Sequence, residues 1–248
     1  MTIEREKDNS GAGGECPALA GRATAAVSFR IGGPLRFLSH AETLRLFHRA
    51  CARATLAVRY TGGFNPHPKL SLPLPRAVGV ASADELLLVR LDDARGLPGP
   101  EDASGRRHYA VMVREALQEV LPEGIEVQGV ELMRPGASFQ AVSAVYRFPL
   151  GFPAASERGQ RLEQRIDELG RCTTLPIERS APGKRRVRQI DLRAFLESAE
   201  LTGDRLAVCC NITMAGSMRV DEMMQVFELN TEDLAGPIRR TDVQWNLS

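Results

Sequence analysis

The chain alternates between short period-two segments and longer runs with apolar residues at steps of three and four. Residues 24–31 place Val27, Phe29 and Ile31 on one face and Ser28 and Arg30 on the other, which predicts a strand. Gly32-Gly33-Pro34 ends it. Ser39, with Glu42 three residues on, has the spacing of a capping box and predicts a helix over 40–54. Its apolar stripe is Leu44, Phe47, Cys51 and Ala54; Arg45, Arg49 and Arg53 form a second, basic stripe. Strands are predicted at 56–60 and 85–91, a Gly/Pro/acidic linker at 92–107, a helix at 109–121 and a strand at 125–133.

The pattern then starts again. Strands are expected at 139–150, 174–179, 206–214 and 240–247, helices at 158–169 and 218–227, and an extra strand around 190–201. Each half reads strand, helix, strand, strand, helix, strand, the order of a split βαβ unit. The fold class expected is therefore α+β: two tandem ferredoxin-like (βαββαβ) units with antiparallel sheets. Residues 1–22 are polar and lack periodicity, and read as a disordered leader. The first unit spans 23–134 and the second 137–248.

One stretch departs from both periods. Residues 61–80 hold four prolines, Pro66, Pro68, Pro73 and Pro75, after the glycine pair Gly62-Gly63. Proline fixes φ, removes a donor and pushes the preceding residue to an extended conformation, so the segment is neither helix nor central strand. It reads as a rigid surface loop presenting Asn65, His67, Lys69 and Arg76, with Phe64, Leu70, Leu72, Leu74 and Val78 expected to need burial. A long irregular segment of this kind inside a compact domain points to function.

Composition narrows the classes. A hydrophobic content of 43% with 25% charged residues is that of a globular protein. No apolar run has the length of a membrane span or of a signal core, so a cytoplasmic protein with no membrane partner is expected. With a net charge of +1, nucleic-acid binding would depend on local patches. Five cysteines show no CxxC and no zinc spacing, and Cys51, Cys209 and Cys210 read as small buried hydrophobes. No dinucleotide or phosphate-loop motif follows a strand. No cofactor and no metal is expected; a metal on His40 and His67 would need Asp84 or Glu85 as a third ligand.

Two basic features remain. Arg45, Arg49 and Arg53 make a phosphate track if they line one groove with Lys69, Arg59 and Arg76. Lys184, Arg185, Arg186 and Arg188 put four cations in a five-residue predicted turn. His40, at the helix start, and His67, in the loop, are the candidate acid–base pair if they converge.

These residues resemble a known family. Arg36-Phe-Leu-Ser-His40, Arg45, Arg49-Ala50, Gly63-Phe-Asn-Pro-His-Pro-Lys69, Val78-Gly-Val80 with Glu85, and later Gln189-Ile-Asp-Leu-Arg193 and Gly216-Ser-Met-Arg219, are similar to the radical SAM-linked domain of unknown function. That domain occurs alone in bacteria and fused behind the core of cobalamin-binding radical SAM proteins. The sequence has no CxxxCxxC, so the resemblance implies the stand-alone partner of a radical SAM enzyme. The function expected is an accessory protein, not an enzyme by itself, that binds tRNA or ribosomal RNA to support its modification or processing. The alternatives are a metal-independent RNA-processing enzyme using the histidine pair, or a module docking on the radical SAM enzyme.

Overall fold

The computed structural model describes residues 22–92, 98–99, 101–180 and 187–247. The expected leader falls almost wholly outside them, as do Lys184, Arg185 and Arg186.

In the first half, β1 (Arg22–Ile31) leads through a 3-10 turn to α1 (His40–Arg53), then come β2 (Leu70–Ser71), β3 (Ala81–Asp92), α2 (Ala103–Val120) and β4 (Ile125–Met133). The capping box forms as expected: the Ser39 hydroxyl accepts from the Glu42 amide at 3.3 Å and the Glu42 carboxylate accepts from the Ser39 amide at 2.8 Å. Helix α2 starts earlier than its apolar pattern indicates, because Asp102 caps it by accepting from the Gly105 amide. In the second half, β5 (Phe139–Pro149), α3 (Glu157–Arg171), β6 (Pro176–Ser180), β7 (Val187–Asp191), β8 (Leu196–Thr202), β9 (Arg205–Asn211), α4 (Val220–Val226) and β10 (Arg239–Leu247) follow.

The molecule is mixed α/β, consistent with α+β, with a large mixed sheet and four helices among the described residues. The sheet runs β4-β1-β3-β10-β5-β9-β8, with β2 also on β3. The expectation of purely antiparallel sheets fails at one seam: β3 and β10 pair parallel, through Ala81 with Arg239 and Ser82 with Arg240. The hairpin β6–β7 stands apart as its own two-stranded sheet. The strand expected at 56–60 reduces to isolated bridges, Val58 with Leu91 of β3 and Tyr60 with Pro68, and Leu70 and Ser71 pair further along β3.

Helices cover one face of each half. Val27, Phe29, Leu87 and Val89 pack under Phe47, Val113 and Leu117 in the first core. Phe29 meets Phe47 edge-on at 4.7 Å. Phe148, Leu206 and Val208 pack under Leu162, Leu169 and Met223 in the second. The back of the first sheet is not left to solvent: Ala26, Leu86 and Leu88 lie against Met133, Phe139 and Trp245. The halves therefore share one sheet at the β3–β10 seam, and side chains of β5 and β10 cover the back of its first half. This is why β1 is buried on consecutive residues from Ala23 to Val27 rather than on alternate ones.

Candidate functional site

The proline-rich segment divides into two parts with different surroundings. The first is a closed hairpin. Tyr60 bridges Pro68, the Thr61 amide donates to the His67 carbonyl at 2.9 Å, and the His67 amide donates to the Thr61 hydroxyl oxygen at 2.9 Å. Gly63, at φ +106°, makes a turn that L side chains rarely adopt. The hairpin is tied to β3 by the Arg59 amide on the Arg90 carbonyl and the Arg90 amide on the Lys69 carbonyl. Its tip carries Phe64, Asn65 and His67, all exposed, with Lys69 half-buried at the base.

Phe64 was expected to need burial and is instead fully exposed; Tyr60 is 51% exposed beside it. Val78, also expected inside, is exposed at the other end of the segment, while Leu72 is buried. Pairing satisfies the hairpin backbone, so the tip stands without a core beneath it.

On α1 the charge of the hairpin is felt at His48. That residue, one of two histidines on the helix, sits between its buried stripe and the exposed Arg45 and Arg49. Burial, and then the like charge of His67, push the His48 imidazole below the usual histidine range. Its Nε2 is buried without a hydrogen-bond partner among the described residues. A base held low in the folded state binds fewer protons than in the unfolded chain. Stability is then lost as pH falls from the unfolded histidine value, near 6.5, towards the folded one. The expected result is a melting temperature that drops between about pH 7.5 and 5.5, and a His48→Gln variant in which the drop is smaller. An unchanged slope in that variant would place the pH dependence elsewhere.

His67 thus acts electrostatically on His48. His40, at the start of α1, is eight residues and about 12 Å of helical rise away. It lines a small cavity with Phe29, Thr43, Leu72, Leu74, Arg76 and Glu85, and His67 is not part of that lining. An acid–base pair acting on one bond needs both groups within reach of it, and the structure does not bring these two imidazoles into one cavity.

The second part, residues 72–80, runs past His40 to the seam between the halves. Arg76 is held there by backbone: its Nη1 donates to the carbonyls of Arg36 at 2.7 Å and Val80 at 2.6 Å, and its Nη2 to that of Leu38 at 3.1 Å. Beneath it lies a buried ion pair. Arg240, wholly inaccessible, donates to Glu85 Oε1 at 2.5 Å and to the Pro75 carbonyl at 3.1 Å, and its Nε has no partner among the described residues. The half-buried Tyr146 also bonds this guanidinium; burial raises its phenol pKa, and the Arg240 charge opposes that rise.

Above this pair opens a groove of about 990 Å³ between the halves, lined by Arg36, Phe37 and residues 74–80 on one side and by residues 217–221, Met224 and 234–238 on the other. Sequence reasoning missed it, along with His48 and the exposed aromatics. His48 carried a signal, because its place on the helical wheel flanks the basic stripe. The groove carried none, since its walls are far apart in the chain.

Arg45 and Arg49 lie exposed on α1, as their spacing indicates, and Arg188 is exposed on β7 opposite Arg179. Cys51 and Cys210 are buried, and burial pushes each thiol up to about 12. Cys209 is only half-buried. Among the described residues no group of three or more His, Cys, Asp or Glu is placed to hold a metal ion, and no helix is long and apolar enough to cross a membrane.

The model of a family described as "Uncharacterized protein conserved in bacteria (DUF2344)" matches residues 25–226. The chain belongs to that family. No curated protein matches it. The family region runs from β1 through α4 and so includes the hairpin and most of the groove; Arg240 and the rest of β10 lie beyond it.

Proposed function

We propose that the protein is a non-catalytic RNA-binding accessory, acting in the cytoplasm beside a radical SAM enzyme on tRNA or ribosomal RNA. The observation that carries the RNA reading is the rigid hairpin that holds Phe64 and Tyr60 in solvent with Asn65 and His67, next to a helix whose free face is Arg45 and Arg49. A large aromatic side chain kept outside the core on a fixed turn is a stacking surface for an unpaired base, and flanking guanidinium groups track the phosphates. Lys184, Arg185, Arg186 and Arg188 are a further phosphate-binding candidate. The radical SAM association rests on the resemblance of the Phe-Leu-Ser-His and Gly-Phe-Asn-Pro-His-Pro-Lys blocks. The two strand orders, β4-β1-β3-β2 and β10-β5-β9-β8, support the finer reading of two ferredoxin-like units joined at one seam.

Fluorescence anisotropy with a labelled single-stranded RNA, in rising salt, tests the binding. Arg45, Arg49 and Lys69 on phosphates give a slope of log K against log salt of about −2. Replacing Arg45 and Arg49 with alanine should flatten that slope by about 1.4. Phe64→Ala should weaken binding by about 1–3 kcal/mol without changing the slope, because a stacked base is lost and no phosphate contact is. Absence of binding at about 50 mM salt, or binding indifferent to salt, overturns the proposal.

A further inference from the structure

The groove at the seam is a second site, at the opposite end of β3 from the hairpin: its wall includes Val80, which precedes the strand, whereas the hairpin bonds near Arg90. We propose that it binds a nucleoside monophosphate, with the base on an apolar bed and the phosphate held by arginine.

Its size and position are those of a ligand site, since about 990 Å³ between two packed halves is ample for such a molecule. The bed is apolar and adaptable, formed by Leu74, Val80, Met218, Met224, Leu234 and Ile238. The charge on the walls is one-sided: Arg36, Arg76 and Arg219 stand against the single carboxylate of Asp221.

Arg36 is arranged for a flat ligand. Its guanidinium lies 4.3 Å from the centroid of the Phe37 ring, one donor is fixed on the Gly33 carbonyl at 2.8 Å, and the ring is 56% exposed. A planar cation on an aromatic ring is a surface on which a base stacks, and its remaining donors suit a phosphate. Asp221 supplies an acceptor for a ribose hydroxyl.

The bed is also held in advance. Arg76 bonds the carbonyls of Arg36, Leu38 and Val80, and the Gly79 amide bonds the Arg36 carbonyl at 2.9 Å. From below, Arg240 ties Pro75 to Glu85. Little ordering is left for a ligand to impose, which favours binding.

The probe is AMP, titrated into the full-length protein with the methionine methyl groups ¹³C-labelled. Saturable shifts of the Met218 and Met224 methyl signals are expected, with a Kd of about 10–1000 µM. Adenosine and inorganic phosphate should each bind at least about tenfold more weakly, because each lacks half of the recognised chemistry. Arg36→Ala and Arg219→Ala should each weaken AMP about tenfold while the melting temperature holds. The Arg45→Ala/Arg49→Ala double variant should bind AMP normally, which separates this site from the RNA surface. Lack of saturation by about 5 mM AMP in the folded protein overturns the assignment. So does AMP binding that survives both arginine changes, or that inorganic phosphate reproduces.

Discussion

Replacing Arg240 with methionine should cost about 3–5 kcal/mol of stability, because it takes from the buried Glu85 carboxylate the one guanidinium bonded to it and leaves only the charge of Arg76 nearby. Arg240 and Glu85 are both buried, they meet at 2.5 Å, and they come from the two halves of the chain. The same guanidinium also bonds the Pro75 carbonyl and Tyr146, so three elements lose a partner in one substitution. For a chain of 248 residues this corresponds to roughly a 6–20 °C fall in melting temperature. Glu85→Gln should cost less, since the amide oxygen still accepts one bond from the guanidinium, although an uncompensated positive charge remains. Pairing Arg240→Met with Glu85→Leu should recover much of the loss, because a buried ion pair exchanged for apolar groups of similar size is often close to neutral. Urea denaturation of the wild type, Arg240→Met, Glu85→Leu and the double variant gives the coupling directly. A single Arg240→Met loss below about 1 kcal/mol would mean that the seam is held by the Ala26, Leu86, Leu88 and Trp245 contacts alone.

Neither this pair nor its consequence was legible in the residues. Glu85 and Arg240 are 155 positions apart and each sits near the start of its strand, where a charged residue ordinarily faces water. Local signals served well where the physics is local. The Ser39–Glu42 cap, the Phe47 stripe and the exposed Arg45 and Arg49 follow from helical geometry. The break imposed by Pro66, Pro68, Pro73 and Pro75 follows from fixed φ. What the residues could not show was which distant segments become neighbours. Phe64 is apolar, and burial was the natural expectation; the hairpin closes on itself instead and leaves the ring outside. The helix start and the loop leave the same region, which suggests that His40 and His67 converge; the loop closes on itself at Thr61–His67, and the cavity that His40 lines does not include His67. Residues 24–31 read as a half-solvated strand, but the second half of the chain covers the back of that sheet.

The second large effect is expected at α4. Glu222 receives a bidentate grip from Arg179 of β6, Nε to Oε1 at 2.6 Å and Nη2 to Oε2 at 2.7 Å, and also accepts from the Arg219 amide at 2.8 Å. Arg179 Nη2 further bonds the Ser217 carbonyl at 2.9 Å. Both side chains are largely out of solvent, at 13% and 6% exposure, so the pair is worth more than a surface ion pair. It ties the separate β6–β7 hairpin to the wall of the groove. Glu222→Ala should therefore cost about 3 kcal/mol, and should strip hydrogen-exchange protection from β6, β7 and the Ser217–Val220 backbone before the rest of the sheet. Arg179→Lys alone should lose much of the same protection, because an ammonium group cannot span both carboxylate oxygens and the Ser217 carbonyl in one plane. Since residues 217–221 line the groove, AMP affinity should fall in the same variants, whereas RNA affinity at the Phe64 hairpin should persist. Equal protection of β6 and β7 in the wild type and in Glu222→Ala would show that the hairpin is held by Ile177 and Ile190 packing on the second core, and that α4 positions the groove wall unaided.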